Sequence, residues 1–227
     1  MLAIMKKELK SMFCTPIGYI AISALLLVFC GIFYILTIGQ RAVEVGTLYY
    51  GTALYGLPIV IAVLTMKSFA EEKSKDTDQV LFMAPRSSFS IVMGKILATM
   101  SVILITLILT LIYCVILSLY GSLNWKILMA TILEFILISF AYTSFGVLVS
   151  TITEHQVISA IITLAFLLLP LFFTFGDSAL SYLLIINFFV KIPVGIISVK
   201  EILCPIFFTI MCITLELILL KRRKMYR

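Results

Sequence analysis

The sequence predicts an all-α membrane protein, and three observations support this fold class. Apolar residues make up 63% of the 227 residues and charged residues only 12%, and the mean hydropathy is +1.21. Soluble domains are roughly half apolar and about a quarter charged. The apolar residues also gather in runs of the roughly 17–25 residues that a helix needs to cross a bilayer. A single membrane-embedded helical domain, residues 1–227, is therefore expected.

Six apolar runs are predicted to span the membrane. They cover residues 17–38, 48–66, 96–120, 127–150, 157–175 and 202–220. Alternation of apolar and polar residues in segments of about ten, the pattern of a membrane barrel, is absent from the sequence. The spans and their short loops use up the chain, which leaves no room for a separate soluble domain of about 100 residues.

The basic residues predict the topology. Thirteen of the 17 lysines and arginines fall in residues 1–13, 67–95 and 221–227, whereas Arg41, Lys126, Lys191 and Lys200 fall between the other spans. Cytoplasmic loops carry the excess of Lys and Arg. Both termini and the long polar loop are thus expected in the cytoplasm of a bacterial-type cell, with the chain crossing the cytoplasmic membrane several times.

Two further segments are expected at the membrane surfaces. Residues 1–14 carry apolar side chains on one helical face and Lys6, Lys7 and Lys10 on the other, a pattern typical of an amphipathic helix lying in the interface. A frayed tail is the alternative. Residues 176–201 contain an apolar piece too short to cross the membrane, followed by Pro193 and Gly195. This piece predicts a short external re-entrant segment before the last span.

The longest hydrophilic interruption, residues 67–95, is where a water-soluble partner could bind. Residues 68–84 favour a short helix that presents apolar side chains such as Phe69 and Leu81 beside charges such as Glu71 and Glu72. Apolar anchors flanked by charge suit insertion into a groove of a partner protein. A solvated connector whose apolar end lies against the bilayer is the alternative, and the composition does not decide between them.

Glu134 is the residue of the predicted spans whose transfer into the membrane is expected to cost the most free energy. It lies seven residues into the fourth span, roughly 10 Å from its start at about 1.5 Å per residue. A carboxylate at such a depth needs a partner, a proton or water. Two interpretations follow: a site facing a translocation cavity for a cationic or polar substrate, or a protonated packing residue.

Metal and nucleic-acid sites are not expected. The five cysteines are isolated in or beside apolar runs, and His155 is the only histidine, so the usual Cys and His ligand spacings for zinc are missing. The net charge of +6 comes from basic residues at the ends of spans, which suits anionic membrane lipids better than nucleic acid.

A family resemblance rests on the polar loop and three other segments. The loop is FAEEKSKDTDQVLFMAPRSSFSIVMGKIL, and the other segments are KKELKSMFCTPIGYI, GVLVSTITEHQVISA and FFVKIPVGIISVKEIL. Together they resemble ABC type-2 exporter permeases, in particular the gliding-motility and copper-reductase-maturation branches. The loop positions that match are Phe69, Glu71, Glu72, Thr77, Leu81, Pro85, Gly94 and Lys95. Asp76, Asp78 and Gln79 depart from the family pattern, which puts the fit of the loop to its partner in doubt.

The resemblance implies a permease that exports an unidentified substrate and performs no catalysis of its own. Two such permeases, identical or related, would assemble with two cytosolic ABC ATPase subunits that bind ATP and Mg. The residues implied in coupling to the ATPase are Phe69, Glu71, Glu72, Thr77, Leu81, Phe82 and Pro85 of the coupling helix and Thr153, Glu154 and Gln156 of a second turn. The sequence itself contains no GxxxxGK[ST] phosphate-binding loop, so no cofactor is expected in this chain.

The sequence disfavours two other function classes. An ion-driven secondary transporter is expected to show paired broken helices and several charges near mid-membrane, whereas only Glu134 qualifies here. An intramembrane metalloprotease could use the Glu71–Glu72 pair, but these residues lie in a charged loop and the chain has one histidine. Such a chain cannot assemble a metal-activated water of the usual type.

Overall fold

The structure, a computed structural model, describes residues 1–36, 45–74, 87–120, 124–173 and 199–226, and in these ranges it contains helices and no β-strand. The helices are α1 (Leu2–Cys14), α2 (Ile17–Tyr34), α3 (Val45–Gly51), α4 (Leu57–Thr65), α5 (Ala70–Ser74), α6 (Ser88–Tyr120), α7 (Trp125–Ile152), α8 (Gln156–Phe173) and α9 (Val199–Tyr226). A π-helical turn, Thr52–Gly56, joins α3 to α4 just before Pro58.

The described helices confirm the predicted all-α membrane class. Five helical stretches are long and apolar enough to cross a membrane: Ile17–Tyr34, Val45–Ser74, Ser88–Leu119, Trp125–Ile152 and Ile202–Arg222. The region of the fifth predicted span is also helical, but its described apolar part, Gln156–Leu169, is shorter. Within the stretch Val45–Ser74, α3, the π-helical turn and α4 come first, and α5 follows α4 after one short turn.

Helix α7 lies at the centre of the described bundle. It packs against α3, α4, α6, α8 and α9, and its buried residues extend from Leu128 to Thr151. At the crossing with α4, a Cβ atom added to Gly146 would lie 2.9 Å from the Cβ of Thr65. The missing side chain therefore lets the two helices approach more closely than any other residue would allow.

Two elements differ in extent or setting from the sequence expectation. Helix α6 begins at Ser88, earlier than the predicted start at residue 96, so the last part of the expected polar loop is helical. The apolar face of α1, including Ile4, Leu9 and Met12, packs against the protein core. Gly94 of α6 makes this contact possible, because an added Cβ would lie 3.0 Å from Ile4 Cγ2. The predicted external segment 176–201 lies mostly outside the described residues.

Candidate functional site

Helix α5 is the described part of the expected coupling helix, and its start is bound to the end of α7. The backbone amides of Phe69 and Ala70 donate hydrogen bonds to Ser150 Oγ at 2.9 and 3.0 Å. The first amides of a helix have no partner within the helix itself, and here a hydroxyl of another helix accepts from them. The orientation of α5 is thus fixed by α7, about 80 residues further along the chain.

A buried lysine on α6 joins α5 to α1. Lys95 is 1% exposed, and its Nζ lies 2.9 Å from Glu72 Oε2 and 3.1 Å from Glu8 Oε1. The same ammonium donates to the carbonyl oxygen of Ser68 and lies 4.5 Å from the centre of the Phe69 ring. A buried ammonium is stable only with such partners, because its desolvation costs several kcal/mol.

Further ion pairs surround this lysine. Lys7 Nζ lies 3.4 Å from Glu72 Oε1, so Glu72 contacts two lysines from different helices. We call Lys7, Glu8, Glu72 and Lys95 the Lys95 cluster. Its two lysines and two glutamates balance in charge, and they connect α1, α5 and α6 across up to 87 positions of sequence.

The turn between α7 and α8 contacts the other side of α5. Lys73 Nζ lies 3.0 Å from Glu154 Oε1 and donates to the carbonyl oxygen of Ile152 at 3.4 Å. Glu154 and His155 are exposed at this turn, and Thr153 and Gln156 are half-buried. The two segments that the resemblance implies in coupling therefore lie side by side on one end of the bundle.

The predicted site residues differ in exposure, and some of them lie outside the described part of the chain. Glu71 and Glu72 are on α5, next to Glu154 of the second turn, and all three form ion pairs. Phe69 is 5% exposed and packs in the core, so it offers little surface to a partner protein. Thr77, Leu81, Phe82 and Pro85 lie outside the described residues.

Four residues that position α5 were absent from the expected coupling set: Glu8, Lys73, Lys95 and Ser150. Lys95 carried a sequence signal, since a lysine at the start of an apolar run needs a partner when it is buried. Glu8 is the only acidic residue in α1, which could have suggested that partner. No local pattern identifies Ser150 as the acceptor for α5.

Glu134 lies inside the bundle, on the face of α7 that the other helices cover, and is 1% exposed. Within the described residues, no group of three or more His, Cys, Asp or Glu side chains could hold a metal ion. The charged residues around α5 form ion pairs between helices.

The comparisons with known proteins decide the family. A family model described as ABC-2 family transporter protein matches residues 14–170, which is well over half of the chain. The protein belongs to the ABC-2 transporter family. This ABC-2 protein is accordingly a multi-pass, non-enzymatic membrane component of a transporter, and its membership implies association with an ABC ATPase. A search of curated proteins finds no significant match.

Proposed function

We propose that the protein is the permease subunit of an ATP-driven exporter, related to the gliding-motility and copper-reductase-maturation branch. It would cross the cytoplasmic membrane six times with both termini in the cytoplasm. Two permease chains, identical or homologous, would assemble with two ATPase subunits that bind ATP and Mg. The observation that carries the proposal is the joint attachment of α5 to α1, α6 and α7 through the Lys95 cluster and Ser150.

This attachment suits the transmission of force. Where α5 is fixed to three other helices, a partner that moves α5 must move those helices with it. ATP-driven closure of two ATPases would then tilt α6 and α7 between inward-open and outward-open arrangements, a rigid-body change biased by nucleotide. The exposed end of α5 at Ser74 and the Thr153–Gln156 turn form the surface that an ATPase would contact.

Isolation of the complex tests the proposal. The tagged chain, extracted from its native cells in mild detergent, should retain a protein that has a phosphate-binding loop and hydrolyses ATP. His155→Trp places a bulky side chain on the exposed turn of the docking surface and should reduce the retained ATPase several-fold. Lys126→Trp adds the same bulk at the opposite end of α7 and serves as the control.

Two results would contradict the proposal. The first is recovery of the folded native chain without any ATPase, which would argue against ATP as the energy source. The second is equal ATPase retention by both tryptophan variants, which would show that the ATPase does not bind at the turn that contains His155. A second copy of the chain carrying a different tag should also co-isolate if the permeases are identical.

Glu134 is proposed to serve the translocation path. Glu134 is buried on α7, the same helix whose Ser150 binds the start of α5. A movement of α7 caused by a substrate near Glu134 would therefore also move α5. Glu134→Gln should change the rate of ATP hydrolysis by the isolated complex without loss of assembly. Unchanged hydrolysis would favour the packing interpretation.

A further inference from the structure

A cavity of about 180 Å³ lies beside the Lys95 cluster, between α1, the start of α2, the end of α4 and α5. Lys7 and Glu8 of α1 form one side, and Lys67, Glu71 and Glu72 form the other. Its volume exceeds the roughly 150 Å³ of an engineered protein cavity that binds benzene. A polar group of somewhat more heavy atoms than benzene therefore fits.

The wall of the cavity has the composition expected at the level of lipid headgroups. Its apolar part includes Ile17, the first residue of α2, and Leu64, next to the last residue of α4. Both helices belong to stretches that can cross a membrane. A pocket beside the first residue of α2 and near the last residue of α4, with both charged and apolar side chains in its wall, matches the boundary between headgroup and acyl chain.

The charges around the cavity balance. Three glutamates and two lysines line it, and Lys95 stands directly behind Glu8 and Glu72. An anionic headgroup would add an uncompensated negative charge next to three carboxylates. A headgroup that carries one positive and one negative charge adds none, so the electrostatics favour a zwitterion.

The outer ion pairs are the ones that a zwitterion can enter. Lys7 is 64% exposed and lies 3.4 Å from Glu72, and Lys67 is 33% exposed and lies 4.0 Å from Glu71. These separations are longer than the 2.7–2.9 Å typical of close charge-assisted hydrogen bonds. The inner pairs of Lys95 are shorter and buried, and they hold the carboxylate wall in place.

We propose that this cavity binds the headgroup of phosphatidylethanolamine. The phosphate would contact the ammonium groups of Lys7 and Lys67, and the lipid ammonium would donate hydrogen bonds to Glu71 and Glu72. Phosphatidylcholine carries the same charges but has no N–H on its nitrogen, so it cannot donate to the carboxylates. The site therefore distinguishes these two lipids by hydrogen bonding and anionic lipids by charge.

Lipid titration of the full chain tests this proposal without an ATPase or a transported substrate. Delipidated protein in detergent is titrated with phosphatidylethanolamine, phosphatidylcholine and phosphatidylglycerol of identical acyl chains, and bound lipid is measured by native mass spectrometry. We expect half-saturation by phosphatidylethanolamine at a concentration several-fold below that of either other lipid. The double variant Lys67→Gln with Glu71→Gln keeps the net charge and should remove this preference.

A matched control is Lys10→Gln, which removes an exposed lysine outside the cavity and is compared with the single variant Lys67→Gln. It should keep the native preference. Equal binding of the three lipids, stronger binding of phosphatidylglycerol, or the same loss in control and test variants would overturn the proposal. Displacement of the lipid by free phosphoethanolamine at similar concentrations would assign the cavity to a soluble ligand and overturn it as well. If the test variant fails to fold, the ranking of lipids by the native chain decides.

Discussion

The Lys95 cluster and the interior of the bundle solve the problem of buried polar groups in opposite ways. In the cluster, Lys95 contacts Glu8 and Glu72 from two other helices, so its partners also connect those helices. In the interior, most described hydroxyls bond to carbonyls of their own helix, as Thr106 does to Val102 and Thr143 does to Ser139. Such a bond satisfies the hydroxyl but does not connect one helix to another.

The interior must therefore be held together mainly by close packing, and among the described glycines Gly146 makes the closest contact, against Thr65. Tyr49 is an exception, because its hydroxyl lies 3.3 Å from Thr110 Oγ1 on α6. Ion pairs thus determine how α1, α5 and α6 are joined, whereas the shapes of the packed side chains determine how the spans cross. Substitutions in the two regions should differ in size and in the way they can be rescued.

The largest effect is expected for Lys95→Met. It leaves Glu8 and Glu72 close together without their shared ammonium, and breaking a buried ion pair in this way costs about 3–5 kcal/mol. Thermal unfolding of the full chain in detergent should show a correspondingly large fall in the midpoint temperature.

The rescue variant for this test combines Lys95→Met with Glu8→Gln and Glu72→Gln. It removes the buried ammonium together with both of its carboxylate partners and leaves only Lys7 of the cluster charged, on a side chain that is 64% exposed. Most of the lost stability should return, because no carboxylate is left unpaired. A Lys95→Met protein that unfolds at the native temperature would show that the cluster does not hold the helices together.

A smaller loss, about 1–3 kcal/mol, is expected for Gly146→Ala. The new Cβ would meet the Thr65 side chain, and overpacking of a tight contact has a cost of this size. Gly31→Ala is the control, since a Cβ at Gly31 meets no atom within 4 Å, and the gain in helix propensity should leave it equal to or above the native stability. Equal unfolding temperatures of both variants would disprove the tight crossing.

Ser150→Ala should cost about 1–2 kcal/mol. It leaves the amides of Phe69 and Ala70 without their acceptor, which combines the loss of a helix cap with buried unpaired donors. Hydrogen exchange of the peptide that contains α5 should accelerate. Ser101→Ala serves as the comparison, because the Ser101 hydroxyl bonds to Leu97 O within its own helix and its removal should change little. Identical exchange in α5 for both variants would argue against the cap.

The smallest effect is expected for Glu216→Gln. Glu216 on α9 is fully buried, and neither of its carboxylate oxygens has a hydrogen-bond partner among the described residues. An ionised carboxylate in that setting would cost several kcal/mol, so we expect a neutral acid there.

Because glutamine has nearly the same shape as a neutral glutamic acid, the unfolding temperature of the Glu216→Gln variant should stay close to that of the native chain. Glu72→Gln is the counterpart, and it should lower the temperature clearly, since it removes a charge that Lys95 requires. A large stabilisation by Glu216→Gln would show that the native carboxylate is ionised.

The sequence predicts the all-helical membrane class because the helical structure of an apolar run is a local property. A run of apolar residues such as 127–150 must be helical to satisfy its backbone in lipid, and α7 extends over Trp125–Ile152. The family resemblance was likewise visible from four short segments, and the family match confirms its broader part. The branch within the family stays a prediction.

The contacts of the site could not be read from the sequence in the same way. Glu8 and Lys95 are 87 positions apart, and their meeting depends on how α1 lies over Gly94. The burial of Phe69 also could not be predicted from the sequence. Its place in the polar loop suggested a docking anchor, but its ring is covered by Lys95 and the core, a burial that only the tertiary arrangement produces.

The length of α6 has a consequence of its own. Its 33 residues extend roughly 50 Å at about 1.5 Å per residue, whereas the hydrocarbon layer is only about 30 Å thick. A helix of that length must tilt within the bilayer, extend beyond it, or both, and Lys95 lies in its early turns, near one end. In the proposed exporter, a displacement of that end would be carried to the opposite end of α6, because one continuous helix connects the two.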